Sequence, residues 1–201
     1  PAWLELPLLH PELLGEFLDM TIEGQLAIIE AEHKMGIEFI NGGCDFAFND
    51  GPVYSPAFFD RIMQPRWKKL FDACRQRDMY YVMRSDGNLW PVADALFGNA
   101  RPHGYYEVDY DAGMHFDKLR NAFPELVLIG NVSCDLLARG NPSQIEGRII
   151  ECIETAYPRM IASSSNSILH RTPLDNVFAL YETARQYKPA ASRAEEGDQT
   201  R

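Results

Sequence analysis

The sequence lacks the basic residues that mark a nucleic-acid-binding protein. Its 19 Lys and Arg residues stand against 29 Asp and Glu residues, so the net charge is −10 and the isoelectric point is near 4.9. A surface that binds nucleic acid without sequence preference needs clustered Lys and Arg to displace counterions from phosphates. We therefore expect no nucleic-acid partner.

The sequence also lacks paired cysteines and long apolar runs. Cys44, Cys74, Cys134 and Cys152 are scattered, without a C-x-x-C pair or a metal-like spacing to the five histidines. Reduced thiols that pack as small hydrophobic groups, in a cytoplasmic protein, are the favoured interpretation. No apolar run approaches the roughly 20 residues of a membrane span, and no basic-then-apolar leader opens the chain, so we expect no membrane partner.

Apolar spacing indicates alternating helices and strands. Leu, Ile and Phe recur at three- and four-residue steps from Pro11 to His33, which predicts a helix that Gly36 ends. Short runs rich in β-branched and aromatic residues predict five strands. In chain order, these are Ile37–Ile40, Tyr80–Met83, Tyr105–Asp109, Leu126–Ile129 and Met160–Ser163.

Several further helices have recognisable starts. Ser55 before Pro56 predicts an N-cap, and the helix that follows contains Pro65, which should kink it or split it. Asn141-Pro142-Ser143-Gln144 and Thr172-Pro173-Leu174-Asp175 each combine a capping side chain, an early proline and a polar residue at the third position. These patterns predict helices beginning near residues 142 and 173.

Alternating β and α units of this length predict an α/β protein with a parallel sheet. A complete (β/α)8 TIM barrel takes about 250 residues, so five units in 201 residues predict an incomplete barrel that holds only the last five βα units. We expect residues 1–188 to form this partial barrel domain. Residues 189–201, rich in charge and small side chains, are expected to form a disordered tail.

Polar side chains follow each predicted strand. In a parallel barrel the carboxyl ends of the strands converge on one face, which predicts a shared site. The segment Met83–Asn88 is the most informative, because an apolar strand ends there in a polar cluster at a tight turn. The residues at the strand ends are Asp45, Arg84, Asp86, Asn88, Asp109, Asp111, Asn131, Ser165, Asn166 and Ser167.

Each of these residues also has a purely local explanation, since Asp, Asn and Ser are favoured in turns for backbone reasons. The recurrence at five successive strand ends favours a site. No nucleophile elbow surrounds Ser163–Ser165, and the glycines are too isolated to form a phosphate loop. A sugar or nucleotide enzyme on another parallel-sheet fold would need such a loop.

An ordered set of segments resembles the uroporphyrinogen decarboxylase family, which includes the related zinc- and corrinoid-dependent methyltransferases. The resemblance covers roughly Leu8 to Tyr187. The matching segments are Gly51–Pro65, Arg84–Asn88, Asp111–Met114, Leu128–Asn131, Ser163–Ile168 and Pro173–Asn176. It implies a (β/α)8 barrel with its active site at the carboxyl ends of the strands. It also implies that the chain begins near the third barrel helix, so that the substrate-binding arginines and the key aspartate of the decarboxylases would precede Pro1.

The departures from this family bear on chemistry. In the methyltransferase branch the resemblance places zinc-binding histidine and cysteines at the positions of Arg84, Asp86 and Asn166, none of which is a good soft ligand. In the decarboxylase branch a histidine falls near Asn166. We therefore expect no metal site, and the residues present require no cofactor.

The resemblance implies an enzyme that acts on a carboxylated or methylated small molecule, through decarboxylase-like (lyase) or methyltransferase-like activity linked to tetrapyrrole or corrinoid chemistry. Asp86 and Asn166 are the predicted catalytic residues. The predicted substrate-binding residues are Asp45, Arg84, Asn88, Asp109 and Asn131. A corrinoid protein is the partner expected for methyl transfer, as donor or acceptor, and the acidic surface does not forbid a homodimer. The alternative is a non-catalytic or truncated family remnant that serves as a binding or structural subunit.

Overall fold

A five-stranded parallel sheet forms the centre of the computed structural model, which describes residues 2–191 and their side chains from residue 5 onward. The strand order is β1-β4-β5-β6-β7, and β2 and β3 form a separate antiparallel hairpin. The strands are β1 (Phe39–Gly43), β2 (Ala47–Phe48), β3 (Gly51–Pro52), β4 (Tyr80–Arg84), β5 (Gly104–Val108), β6 (Val127–Val132) and β7 (Met160–Ser164). The five predicted strands are confirmed, and the hairpin was not predicted.

Helices follow most strands, as a parallel sheet requires. They are α1 (Ala2–Leu9), α2 (Pro11–Lys34), α3 (Pro56–Phe58), α4 (Gln64–Arg75), α5 (Phe116–Ala122), α6 (Cys134–Arg139), α7 (Pro142–Ala156) and α8 (Leu174–Gln186). Two π-helical segments, Phe59–Met63 and Asp94–Ala100, and one 3-10 turn, Trp90–Val92, complete the set. Within residues 2–191, no helix combines the length and apolar character of a membrane span.

The predicted helix starts have mixed outcomes. Asn141 forms the full capping box with Gln144, and the Ser55 side chain accepts a hydrogen bond from the N–H of Phe58. Pro65 lies in the first turn of α4, directly after a π-helical segment, so the helix changes its hydrogen bonding there instead of breaking. Thr172 was expected to cap α8, but Pro173 occupies the cap position and no side chain caps this helix.

The helices cover one face of the sheet. Tyr81, Met83, Tyr105 and Leu128 point from alternating strand positions into the main hydrophobic core with the helices. On the opposite face, large apolar side chains stay open to solvent, with Phe39 52%, Tyr80 58% and Ile161 51% exposed. The sheet has free edges at β1 and β7 and does not close into a barrel within the described residues.

Most of the predicted disordered tail, residues 189–201, lies outside the residues that the structure describes. Residues 192–201 lie outside the described residues. The backbone N–H of Ala190 donates a hydrogen bond to Glu154 Oε1 at 3.0 Å.

Candidate functional site

The loops that follow β4 and β7 meet through their side chains. Asn166 Nδ2, after β7, donates a hydrogen bond to Asp86 Oδ2, after β4, at 3.2 Å. Two strands separate β4 from β7, so a flat sheet would hold their backbones roughly 14 Å apart. The contact brings the two predicted catalytic residues together across this distance, as the converging strand ends of a partial barrel would.

Asp86 lies partly buried in the centre of this arrangement. Burial raises the pKa of its carboxyl group above the ordinary value, and the neighbouring charges of Asp45 and Asp109 raise it further. The hydrogen bond from Asn166 stabilises the ionised form and acts in the opposite direction. Asp86 therefore holds its proton more tightly than an exposed aspartate, as an acid in a catalytic site requires.

The β2–β3 hairpin fixes the loop that carries Asp86. The N–H of Asn88 donates to the carbonyl of Phe48 at 2.8 Å. Gly87 has φ +78°, and a Cβ at this position would lie 2.7 Å from the carbonyl oxygen of Ala47. Only glycine allows both this conformation and this close approach. The hairpin that the sequence did not reveal thus positions a predicted catalytic side chain.

Asp109 and Asn88 use their side chains to hold turns. Asp109 Oδ1 accepts from the N–H groups of Asp111 and Ala112, and its Oδ2 accepts from the N–H of Gly87 at 3.2 Å. Asn88 Oδ1 accepts from the N–H of Trp90 at 3.0 Å. Asp109 still contributes negative charge near Asp86. The side chains of Asp109 and Asn88 nevertheless stabilise turns, which is the local explanation that the sequence analysis gave for such residues.

Asn131 is buried and its side chain is fully engaged by the protein. Its Oδ1 accepts hydrogen bonds from the N–H of Phe116 and from the guanidinium of Arg148. Its Nδ2 donates to the carbonyl groups of Val108 and Met114. No donor or acceptor of this amide is free for a ligand, so the geometry does not fit the substrate-binding role that we predicted for it.

Arg84 faces a residue that the sequence analysis missed. Arg84 Nε lies 3.5 Å from Glu107 Oε2, within ion-pair range but without a hydrogen bond between them. The Arg84 side chain is 46% exposed, whereas that of Glu107 is 6% exposed. The site therefore contains a guanidinium that a ligand can reach and a buried carboxyl beneath it.

A β-bulge directs Glu107 into the site. Tyr106 pairs with Ile129 and Val108 pairs with Gly130, so Glu107 is an extra residue in β5. Its φ is +67°, in the left-handed region that non-glycine residues rarely adopt. Val108 then packs into the helix-covered core, while Glu107 turns toward Arg84. The only sequence signal was one acidic residue within an aromatic strand, and simple alternation cannot reveal a bulge.

The pKa of Glu107 is raised to about 7. Burial is the largest cause, and the charges of Asp45 and Asp86 add to it, while Arg84 partly offsets the shift. Asp45 itself is exposed after β1. Asp86 and Glu107, which are at least partly buried, therefore keep their protons to a higher pH than exposed acids do.

A cavity of about 490 Å³ opens beside Asp86. Asp86, Gly87 and Asp109 line it together with the tip of the β2–β3 hairpin. A second cavity, of about 480 Å³, lies between α2, α4 and β1 and has mostly apolar walls. We assign the first cavity to the site, because the strand-end carboxylates open into it.

The side chains at this site do not fit zinc. Arg84 is a cation and Asn166 is a neutral amide, whereas zinc prefers thiolate and imidazole ligands. Across residues 2–191, no group of three or more His, Cys, Asp and Glu side chains is placed to hold a metal ion.

The model of one protein family matches nearly the whole chain. It is described as uroporphyrinogen decarboxylase (URO-D), and it matches residues 2–187. No curated protein matches the chain. The five-stranded parallel sheet and the contact between the ends of β4 and β7 agree with the expected partial barrel. The chain belongs to the uroporphyrinogen decarboxylase family.

Proposed function

We propose that the strand-end site binds a carboxylated small molecule and acts on it through decarboxylase-like chemistry. Arg84 binds a substrate carboxylate, Asp86 donates a proton or stabilises charge, and Asn166 orients Asp86 and the substrate. The observation that supports this most is the Asp86–Asn166 hydrogen bond, which joins two strand ends beside a reachable guanidinium. Guanidinium–carboxylate pairing and a carboxyl group with a raised pKa are the two elements that such chemistry needs.

Tetrapyrrole substrates are the natural first choice, because the family is named for a porphyrinogen decarboxylase. Methyl transfer with a corrinoid protein as donor or acceptor is the second candidate, because the Ser163–Ile168 segment resembles the methyltransferase branch of the family more closely. The donor set at Arg84, Asp86 and Asn166 favours decarboxylation over zinc-thiolate methyl transfer. We also propose a cytoplasmic location, on the basis of four free cysteines.

Replacement of Arg84 by methionine tests the proposed role directly. The protein is incubated with uroporphyrinogen, and loss of carboxyl groups is followed by mass spectrometry. We expect Arg84→Met to lower turnover about 100-fold, because a charge-assisted pair is worth roughly 1.5 to 3 kcal/mol and its geometry also orients the substrate.

Arg139→Met is the matched control, because Arg139 is an exposed arginine on α6 that forms an ion pair with the exposed Asp135. It should retain full turnover. Equal turnover by Arg84→Met and Arg139→Met would show that Arg84 does not bind the substrate. Binding of uroporphyrinogen without any turnover would favour the alternative of a non-catalytic binding subunit.

A further inference from the structure

We propose that binding of a carboxylate at Arg84 is coupled to uptake of one proton by Glu107. This inference rests on the proposed function and deepens it, because it concerns how the same site accepts an anionic substrate.

The first step of the argument is the position of Glu107. Its carboxyl group is buried beneath Arg84, and Oε2 has no hydrogen-bond partner in the structure. A buried, ionised carboxylate oxygen without a hydrogen bond is costly, and the Arg84 guanidinium that partners it lies 3.5 Å away. The strained bulge that holds Glu107 there is of the kind found at functional sites.

The second step is the charge around Arg84. The ionisable groups that act on Glu107 are Arg84 and Asp86 at the end of β4 and Asp45 after β1. β6, the other strand beside β5, has no ionisable side chain. One guanidinium and three carboxylates, that of Glu107 included, thus lie within electrostatic range of Glu107, so an anionic ligand meets a net negative site when all of them are ionised.

The third step identifies the group that relieves this repulsion. A ligand carboxylate that binds Arg84 competes with Glu107 for the same guanidinium and adds negative charge beside it. Among the described residues, Arg84 is the group that lowers the pKa of Glu107, so its engagement by a ligand raises that pKa further above about 7. Glu107 then takes up a proton from solvent, and the neutral acid stays next to the bound carboxylate.

This coupling predicts a pH dependence of ligand affinity. Above about pH 7, binding requires a proton that free Glu107 has lost, so affinity falls with rising pH toward a limit of about tenfold per pH unit. Succinate is a suitable probe because both of its carboxyl groups are ionised throughout this range. Its diamide, succinamide, tests whether the carboxylates are required.

The experiment measures the dissociation constant of succinate by NMR titration of the whole chain between about pH 7 and about pH 9. The native protein should lose affinity steeply across this range. Glu107→Gln should bind with little pH dependence, and tighter than the native protein at the upper end. Glu146→Gln, which changes an exposed glutamate on α7, should behave as the native protein does.

A second measurement uses the native protein alone. Carbon-13 labelling of glutamate follows the titration of Glu107 directly, and saturating succinate should move its midpoint upward. A steep pH dependence that persists in Glu107→Gln and disappears in Asp86→Asn would assign the proton to Asp86 and overturn this inference alone. pH-independent binding by the native protein would also overturn it alone, whereas absence of succinate binding at every pH would overturn the proposed function as well.

Discussion

The ends of β5 and β6 carry two buried polar residues with nearly the same φ angle. Their side chains differ in how many of their polar atoms are hydrogen-bonded. Glu107 has φ +67° and Asn131 has φ +68°, both unusual for residues other than glycine. Every polar atom of the Asn131 side chain is bonded to the protein, whereas Glu107 keeps an oxygen without a hydrogen bond. An unusual φ is thus found at both residues and does not distinguish their roles. Hydrogen bonding of the side chain does: Asn131 has every polar atom bonded and belongs to the framework, whereas Glu107 has an unbonded oxygen and belongs to the candidate site.

Replacement of Asn131 should have the largest effect on stability. Asn131→Ala removes four side-chain hydrogen bonds and leaves the N–H of Phe116 and the carbonyls of Val108 and Met114 with a missing partner. We expect the free energy of unfolding to fall by about 4 kcal/mol, measured by urea denaturation. Asn88→Ala, which removes one hydrogen bond at a turn, should cost about 1 kcal/mol. Equal losses in the two variants would refute the framework role of Asn131.

Replacement of Glu107 should change stability in the opposite direction at neutral to basic pH. The pKa of Glu107 rises from 4.5 to about 7 on folding, so the folded state holds more protons between these values and the native protein loses stability as pH rises. Glu107→Gln removes this loss. Its stability relative to the native protein should increase by at most about 3 kcal/mol between pH 4.5 and pH 8, measured by denaturation at each pH. A difference that does not vary with pH would show that Glu107 titrates as an ordinary glutamate.

The smallest predicted effect concerns Asn166, the amide that does reach the site. Asn166→Ala removes the hydrogen bond that stabilises ionised Asp86, so the pKa of Asp86 should rise further. Carbon-13 NMR of the Asp86 carboxyl measures the shift, and folding stability should change by less than about 1 kcal/mol. If the pKa of Asp86 does not change in this variant, Asn166 has a structural role, as Asn131 does, and does not act on Asp86.

The sequence was sufficient to predict the five parallel strands and the long helices. Their apolar periodicity is a local property, and the capping box at Asn141 and Gln144 depends on four consecutive residues. The convergence of Asp86 and Asn166 also followed from a rule of topology, because all parallel strands end on the same side.

The roles of individual polar residues could not be predicted in the same way. Asn131 and Asn166 both follow strands, but only three-dimensional packing decides that one amide is buried among backbone groups and the other meets a carboxylate. The position of Glu107 in the site could not be predicted, because a bulge changes the face to which a side chain points. A bulge depends on pairing with the next strand, which local sequence does not show. Hydrogen bonds between residues that are far apart in the sequence cannot be predicted from local sequence patterns.

The bulge in β5 has a consequence for protein engineering. Tyr106 and Val108 pair with consecutive residues of β6, so a strand without Glu107 keeps regular pairing and leaves both neighbours on their present faces. Glu107 is therefore one residue in excess of a regular strand. Deletion of this single codon removes the buried acid next to Arg84 and leaves the packed interior behind the strand the same.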